Sequence, residues 1–373
     1  MGVIEIGIYI HFPWCRKLCP YCDFAVEVPG TDGPPHDAYL AAVQTELARR
    51  QSAFRGELAT IYFGGGTPSM WRPDCLAQMV QSVRAAFPGA PREVTIEANP
   101  TDVTDENIAA WRAAGITRVS IGVQSLEPGA LVMLGRDHRF GDGKAAVERA
   151  LAAGLETSAD FILGVPGSSG AFESLPSPHL SVYELTIEER TAFGARVRDG
   201  RMMPLDEDTL TERYIATHEA LLARGYEHYE ISSYALPGHR AQHNSLYWRG
   251  SPFLGLGVGA ASLEVLPDGS GVRATNPRRW ADYQPDPGAP VDRTEIDAAE
   301  MASDRAWLGM RTVDGVTEAS LEPALGIAEV LVEQGLAERR GDRIAPTLRG
   351  FLMADRIAAL IVQTWRDDLP APL

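Results

Sequence analysis

Residues 9–24 read Tyr9-Ile10-His11-Phe12-Pro13-Trp14-Cys15-Arg16-Lys17-Leu18-Cys19-Pro20-Tyr21-Cys22-Asp23-Phe24. Three of the four cysteines in the chain lie within a span of eight residues here, at the spacing C-x3-C-x2-C. A short run of β-forming residues precedes them, so we expect a strand to lead directly into the cysteine loop. Thiolates are soft ligands, and three of them in one loop can converge on one soft metal centre. The stretch therefore predicts a metal site directly after the first strand.

The spacing favours an iron–sulfur cluster over other uses of cysteine. A [4Fe-4S] cube normally takes four thiolates, so three thiolates leave one iron able to bind a small molecule. Cys75 is more than fifty residues away, and its position in the sequence does not link it to the cluster. Arg16, Lys17 and Asp23 interrupt the cysteines, which argues against buried apolar packing. No second C-x2-C pair follows for a zinc finger, and four cysteines without a secretory signal are not typical of a disulfide protein.

The residues around the cysteines resemble a known family. C-x3-C-x2-C with Tyr21 before the third cysteine is similar to the radical S-adenosylmethionine superfamily. Within it, residues 9–15, residues 19–24 and Gly64-Gly65-Gly66-Thr67-Pro68-Ser69 resemble the oxygen-independent coproporphyrinogen III oxidase group. Inside that group the sequence is most similar to the heme chaperones of the HemW type, and the similarity runs over nearly the whole chain.

Composition indicates a globular protein. The 373 residues are 45% apolar and can bury a sizeable core in one large and one smaller domain. The formal net charge of −16, from 34 basic and 50 acidic residues, argues against nucleic acid as a partner. No apolar run is long enough to span a membrane, and the first residues lack the basic segment of a signal peptide. We therefore expect a cytoplasmic protein; a homodimer and a peripheral membrane contact are both compatible with the sequence.

Short β-rich runs alternate with helical patterns over the first half of the chain, which predicts a parallel sheet with right-handed crossovers. The expected strands cover Ile6–His11, Thr60–Phe63, Val94–Ala98, Arg118–Val123, Thr157–Leu163 and Leu180–Leu185. Expected helices cover His36–Ala53, Leu76–Ala86, 104–115, Lys144–Ala153 and Asp206–Arg224. The resemblance implies an α/β fold with a partial (β/α)6 barrel that is open on one side. Functional groups are then expected at the carboxyl ends of the strands.

The resemblance also implies which residues hold the cofactors. Cys15, Cys19 and Cys22 are implied ligands of a [4Fe-4S] cluster whose open iron binds S-adenosylmethionine. The implied contacts of S-adenosylmethionine are Tyr9, Tyr21, Gly65, Gly66, Thr67, Glu97, Gln124, Arg136 and Asp160. Carboxylates accept hydrogen bonds from hydroxyl and ammonium groups, and an arginine can pair with a carboxylate in bidentate fashion. Taken singly, each of the polar residues is more typical of an ordinary surface or strand-end polar group, and the glycine run is more typical of a turn. The sequence assigns no catalytic residue.

The second half of the chain departs from the regular alternation. After Gly164-Val165-Pro166-Gly167, residues 168–178 contain too many helix breakers for the expected crossover helix. We expect one strand at 225–234 and a tight turn at 255–262.

The predicted division is a barrel over 1–235, an extension and linker over 236–290, and a winged-helix-like α+β domain over 291–373. From residue 295 onward there are 14 acidic and 8 basic residues, which is not the charge of a DNA-binding wing.

The run His243-Asn244-Ser245-Leu246-Tyr247-Trp248 matches the H-N-x-x-Y-W motif of the chaperones. It makes His243 the candidate heme ligand, because imidazole commonly ligates heme iron. The alternative is that His243 belongs to a polar core cluster with its aromatic neighbours, and any other histidine or a cysteine could ligate heme instead.

Three functions are compatible with these motifs. The first is a heme chaperone that carries a radical-SAM cluster and delivers heme to acceptor proteins. The second is an oxygen-independent coproporphyrinogen III oxidase, and the third is another radical-SAM enzyme, such as a methyltransferase. Phe24 stands where the oxidases carry a fourth cysteine, and they also have a longer segment before the first strand. Together with the H-N-S-L-Y-W run, this favours heme binding without coproporphyrinogen III oxidase activity.

Overall fold

The computed structural model describes residues 3–169 and 175–365. Six parallel strands pair in chain order at its centre, and each lies where the sequence predicts a strand. They are β1 (Glu5–Phe12), β2 (Glu57–Gly65), β3 (Glu93–Ala98), β4 (Arg118–Gln124), β5 (Glu156–Leu163) and β6 (His179–Glu184). On β1, Ile6, Ile8, Ile10 and Phe12 are fully buried. Alternate residues of a strand share one face, so this face of β1 lies entirely in the core.

Helices connect these strands. The first five are α1 (His36–Arg50), α2 (Pro73–Ala86), α3 (Asp105–Ala114), α4 (Pro128–Met133) and α5 (Asp142–Ala152). The ends of α3 carry the caps that the sequence indicates. Thr104 Oγ1 accepts a hydrogen bond from the Asn107 N–H at 3.2 Å, and Gly115 ends the helix with a φ of 94°.

The prediction of a tight turn at 255–262 is wrong for residues 255–257, which belong to a strand. Residues Phe253–Gly257 form strand β9, which pairs in parallel with β1 on the side opposite β2. The glycines of this strand serve close packing and not only a turn, because a Cβ at Gly257 would collide with the Tyr39 hydroxyl. Three antiparallel strands extend the sheet from β9: β10 (Ala261–Val265), β11 (Gly271–Thr275) and β12 (Asp292–Ile296).

The single strand expected at 225–234 is also wrong, since this segment forms two short strands. Helices α6 (Ala192–Arg198) and α7 (Glu207–Ala223) precede β7 (Glu227–Glu230) and β8 (Ser233–Ala235). The two strands pair with each other, and β8 pairs with β6, both antiparallel. The turn between them is held by Glu230, whose Oε2 accepts from the Ser232 N–H at 3.1 Å.

The large sheet has twelve strands in the order β12-β11-β10-β9-β1-β2-β3-β4-β5-β6-β8-β7. Among the described residues, β12 and β7 end the sheet without pairing to each other. The α/β fold with a partial barrel is therefore confirmed. Of the segment that replaces the expected crossover helix after β5, residues 170–174 lie outside the described residues.

The C-terminal part has its own buried core, built from residues between Ala306 and Ile361. After α8 (Gln242–Trp248) and α9 (Trp280–Tyr283), its helices are α10 (Ala298–Gly309), α11 (Leu325–Glu333), α12 (Leu348–Phe351) and α13 (Ala354–Gln363). Its sheet has the order β13-β15-β14, with β13 (Val316–Thr317), β14 (Ala337–Arg340) and β15 (Arg343–Pro346). This is the winged-helix-like arrangement expected there. The exact domain limits stay a prediction, although β12 continues the large sheet as far as Ile296.

Candidate cofactor site at the carboxyl ends of the strands

A cavity of about 550 Å³ lies toward the carboxyl ends of β1 to β6. The predicted residues that line it are Cys15, Cys19, Cys22, Tyr21, Gly65, Gly66, Thr67, Glu97, Gln124, Arg136 and Asp160. The structure therefore brings together all three predicted cluster ligands and every implied contact of S-adenosylmethionine except Tyr9. The roles of these residues stay a prediction. We call this space the cluster cavity.

Backbone hydrogen bonds hold the base of the cysteine loop. The Cys15 N–H donates to the Glu27 carbonyl at 3.0 Å, and the Glu27 N–H donates to the Pro13 carbonyl at 2.7 Å. Within the loop, the Cys22 N–H donates to the Cys19 carbonyl at 3.2 Å. These bonds close the loop at its base, so the three half-buried thiols lie beside the end of β1.

Burial disfavours the ionised form of the thiols in the cysteine loop. Burial raises the pKa of the Cys15 thiol to about 11, and burial raises the pKa of Cys22 as well. Both thiols therefore keep their protons at neutral pH unless a positive charge stabilises the thiolates, as a bound metal does. The guanidinium of Arg136 supplies part of that charge, with Nη1 3.5 Å from Cys19 Sγ.

Backbone hydrogen bonds connect the glycine-rich loop after β2 to the residues that lead into the cysteine loop. The Gly66 N–H donates to the Phe12 carbonyl at 2.8 Å, and the Thr67 N–H donates to the Trp14 carbonyl at 2.9 Å. Gly65 has a φ of 108°, and a Cβ on it would lie 2.7 Å from the His11 ring. Packing inside the protein therefore already requires glycine at position 65.

Glu97 is a buried carboxylate at the wall of the cluster cavity. Its Oε1 accepts from the Tyr62 hydroxyl at 2.7 Å, and its Oε2 accepts from the Gly65 N–H at 3.0 Å. Burial raises the pKa of Glu97 to about 7, although these two hydrogen bonds oppose the shift. A cationic group bound in the cavity would stabilise the ionised form, so Glu97 is suited to receive an ammonium or a hydroxyl.

Asp160 is the second buried carboxylate, on β5. It accepts hydrogen bonds from the Ser120 hydroxyl at 3.1 and 3.0 Å. Burial raises the pKa of Asp160 to about 6, again against the effect of serine hydroxyls. The cavity thus contains two buried carboxyl groups whose pKa values burial raises toward neutral pH.

Arg136 and Gln124 are held in unusual local arrangements. Arg136 Nη2 donates to Asn99 Oδ1 at 2.5 Å and to the Gly122 carbonyl at 3.1 Å. Its Nε is buried and has no hydrogen-bond partner among the described residues, so it can still donate to a ligand. Gln124, the last residue of β4, has a φ of 62°. It is the only non-glycine residue in the described chain with a positive φ. Such backbone strain is typical of ligand sites.

Tyr21 lines the cluster cavity, whereas Tyr9 lines a neighbouring one. The Tyr9 hydroxyl lies 3.0 Å from His11 Nδ1, and its ring stacks on Tyr62 with centroids 6.0 Å apart. Tyr9 sits in the middle of β1, while Tyr21 belongs to the cysteine loop. The structure therefore separates the two tyrosines that the resemblance groups together.

His243 is enclosed in the core. Its Nδ1 lies 2.7 Å from Thr60 Oγ1, and its Nε2 lies 2.7 Å from the Tyr247 hydroxyl. The side chain is 1% exposed, and burial lowers its pKa to about 3. Since both ring nitrogens have partners, iron ligation would require one of these hydrogen bonds to break. This geometry favours the polar core alternative for His243.

The sequence reasoning missed several polar residues of the cluster cavity, namely Tyr62, Asn99, Ser120 and Tyr183. Asn99 directly follows β3, and this position was a usable signal for a residue at the carboxyl edge. The other three lie within strands that read as ordinary β-forming runs, so their orientation toward the cavity depends on the fold.

Cys75 lies apart from the cysteine loop. It is buried in α2, does not line the cluster cavity, and its Sγ is 3.9 Å from Asp37 Oδ1. Asp37, Asp74 and Cys75 lie close enough together to bind an ion. Arg72, however, already pairs with both carboxylates, at 2.6 and 2.8 Å. We assign no metal to this group.

The comparisons with known proteins agree with this geometry. The model of the radical SAM superfamily matches residues 9–173. The heme chaperone HemW of Escherichia coli (strain K12) is 39% identical over 73% of this chain and 74% of its own length. The heme chaperone HemW of Mycobacterium tuberculosis (strain H37Rv) is 35% identical over 95% of this chain and 94% of its own. Among solved structures, the coproporphyrinogen III oxidase HemN of Escherichia coli superposes with a TM-score of 0.78 at 19% identity, over 98% of this chain and 91% of that one.

Proposed function

Because this chain belongs to the heme chaperone HemW family of the radical SAM superfamily, we propose that it binds heme and passes it to acceptor proteins. We further propose that the cysteine loop holds a [4Fe-4S] cluster with S-adenosylmethionine beside it. The observation that carries the proposal is the 35% identity with a heme chaperone over 95% of the chain.

Cys15, Cys19 and Cys22 are the proposed ligands of the cluster. When bound, the cluster supplies an electron and an open iron position for the amino and carboxylate groups of S-adenosylmethionine. Backbone hydrogen bonds at the base of the cysteine loop hold the three cysteines beside the end of β1. Arg136 stabilises the ligated thiolate of Cys19, since its guanidinium already lies beside that sulfur.

S-adenosylmethionine is proposed to bind in the cluster cavity through the buried polar groups. Glu97 and Asp160 accept hydrogen bonds from its ammonium or ribose hydroxyls, and the positive sulfonium favours their ionised forms. Arg136 donates its unused Nε hydrogen bond to the ligand carboxylate. Gly65 keeps its backbone close to the cavity, and Gln124 ends β4 with its side chain at the same wall.

Heme transfer in the cytoplasm is the remaining part of the proposal. Among the residues that the structure describes, no helix combines the length and apolar character needed to cross a membrane. Phe24 is 68% exposed at the rim of the cluster cavity, where an oxidase of the related group would carry a further cysteine. The phenylalanine at this position supports a chaperone over an oxidase.

A heme titration tests the proposal. Heme added to the anaerobically reconstituted protein is expected to give a shifted Soret band, because protein groups ligate the heme iron. The shift is expected to saturate at about one heme per chain. Heme in protein-free buffer and heme with serum albumin provide the reference spectra. A Soret band that stays at the position of free heme would contradict the proposal.

A further inference from the structure

A second cavity, of about 640 Å³, lies between strands β9 to β11 and helix α10. This volume falls in the range of pockets that enclose cofactor-sized ligands, about 300 to 1,000 Å³. Its walls carry the large apolar side chains Phe24, Phe253, Leu263, Met301, Trp307 and Leu308. We call this space the α10 cavity.

The α10 cavity adjoins the cluster cavity. Asp23, Phe24, Gly65 and Glu97 line both of them. Phe24 is the exposed member of this shared wall, so its ring is available to pack against a ligand on either side. A flat apolar ligand in the α10 cavity would therefore have its edge next to the cluster site.

Three arginines line the α10 cavity together with the acidic residues Asp23, Glu97 and Asp304, so the positive charge open to a ligand depends on which arginines lack an acidic partner. Arg273 pairs with Asp304 and Glu300. Arg278 donates to the Asp23 carbonyl at 2.7 Å through one guanidinium nitrogen and is otherwise exposed. The side chain of Arg305 has no hydrogen-bond or ion-pair partner in the described part of the chain. Unpaired guanidinium groups are suited to carboxylate ligands.

We propose that the α10 cavity is the heme site, which rests on the proposed heme-binding function. The macrocycle packs against the apolar walls and Phe24, and the propionates pair with Arg278 and Arg305. The cluster cavity is already assigned to the iron–sulfur cluster and S-adenosylmethionine, and it carries Asp160, which does not line the α10 cavity. A third cavity, of about 390 Å³ between α8 and the C-terminal part, is smaller and carries four arginines with few apolar groups.

Filling the α10 cavity is the first test. Ala261 is an exposed residue that lines the cavity, and Ala261→Trp places an indole in the volume assigned to the macrocycle. We expect its heme affinity to fall by at least about tenfold, which corresponds to about 1.4 kcal/mol. Ala113→Trp, on the exposed face of α3, is the matched control and is expected to bind heme like the unmodified protein. Melting temperatures of both variants verify that they are folded.

The second test separates the propionates from the macrocycle. Arg305→Gln is expected to weaken heme binding several-fold, and to leave the affinity for heme dimethyl ester unchanged, because the ester lacks the carboxylates. Unchanged heme affinity in both Ala261→Trp and Arg305→Gln, with the unmodified protein binding heme, would overturn this site while leaving the proposed function standing. Absence of heme binding in the unmodified protein would contradict the function and the site together.

Discussion

Replacing Cys19 by alanine is expected to abolish the iron–sulfur cluster. The substitution leaves two thiolates in the loop and removes the sulfur that Arg136 contacts at 3.5 Å. Two protein ligands cannot hold three of the four irons of a cube. After anaerobic reconstitution with iron and sulfide, iron content should fall from about four per chain to near zero, and the broad absorption of the cluster should disappear.

The matched control is Cys75→Ala. Cys75 is buried in α2 and does not line the cluster cavity, so its loss should leave iron content and the cluster spectrum unchanged. A small loss of thermal stability is expected from the smaller side chain. A full cluster in Cys19→Ala, or a lost cluster in folded Cys75→Ala, would contradict the assignment of ligands.

Replacing Glu46 by leucine is expected to destabilise the fold more than any exposed substitution. Glu46 lies on α1 with no exposed surface and accepts four hydrogen bonds. The donors are the Gly257 N–H at 2.8 Å, Asn276 Nδ2 at 2.8 Å, the Tyr283 hydroxyl at 2.7 Å and Arg50 Nη1 at 2.7 Å. Glu46 thus connects helix α1 to β9 through Gly257, and to the segment after β11 through Asn276 and Tyr283.

Glu46→Leu leaves the Gly257 N–H and the Tyr283 hydroxyl buried without an acceptor and Arg50 without its counter-charge. Asn276 Nδ2 and Arg50 Nη1 keep the carbonyls of Gly257 and Gly255 as acceptors. Breaking a buried ion pair in this way costs about 3–5 kcal/mol, a large share of the roughly 5–15 kcal/mol that stabilises a typical domain. Urea unfolding followed by circular dichroism measures the loss. Glu106→Leu, on the exposed face of α3, is the control and should change the free energy of unfolding by less than about 0.5 kcal/mol. Equal stability of Glu46→Leu and the unmodified protein would contradict this role.

The six central strands could be predicted because parallel strands buried on both faces appear as short apolar runs between turn residues. Strand β9 could not be predicted in the same way, since Phe253-Leu254-Gly255-Leu256-Gly257 has the glycine content of a turn. Its glycines are needed because α1 and β1 approach it closely, and that approach is a tertiary property. Glu46 presents the same difficulty, because a glutamate in a helix is ordinarily exposed.

The candidate site was predictable where a residue follows a strand or belongs to the cysteine loop. Glu97 and Gln124 come together in one cavity because the carboxyl ends of parallel strands share one edge. Arg136 follows α4, and only its resemblance to a family position indicated that it belongs there. Tyr9 lies within β1, where its sequence position does not determine which cavity its side chain faces. The same holds for His243, whose burial and two hydrogen-bond partners depend on the packing of α8 against β2.

We expect this member of the radical SAM superfamily to bind heme and not to convert coproporphyrinogen III. The most direct measurement incubates the reconstituted protein with coproporphyrinogen III, S-adenosylmethionine and a reductant, and analyses the porphyrins by chromatography. A parallel sample of the same preparation receives heme. The account predicts unchanged coproporphyrinogen III in the first sample and stable heme binding in the second. Conversion to protoporphyrinogen IX that depends on S-adenosylmethionine would contradict it.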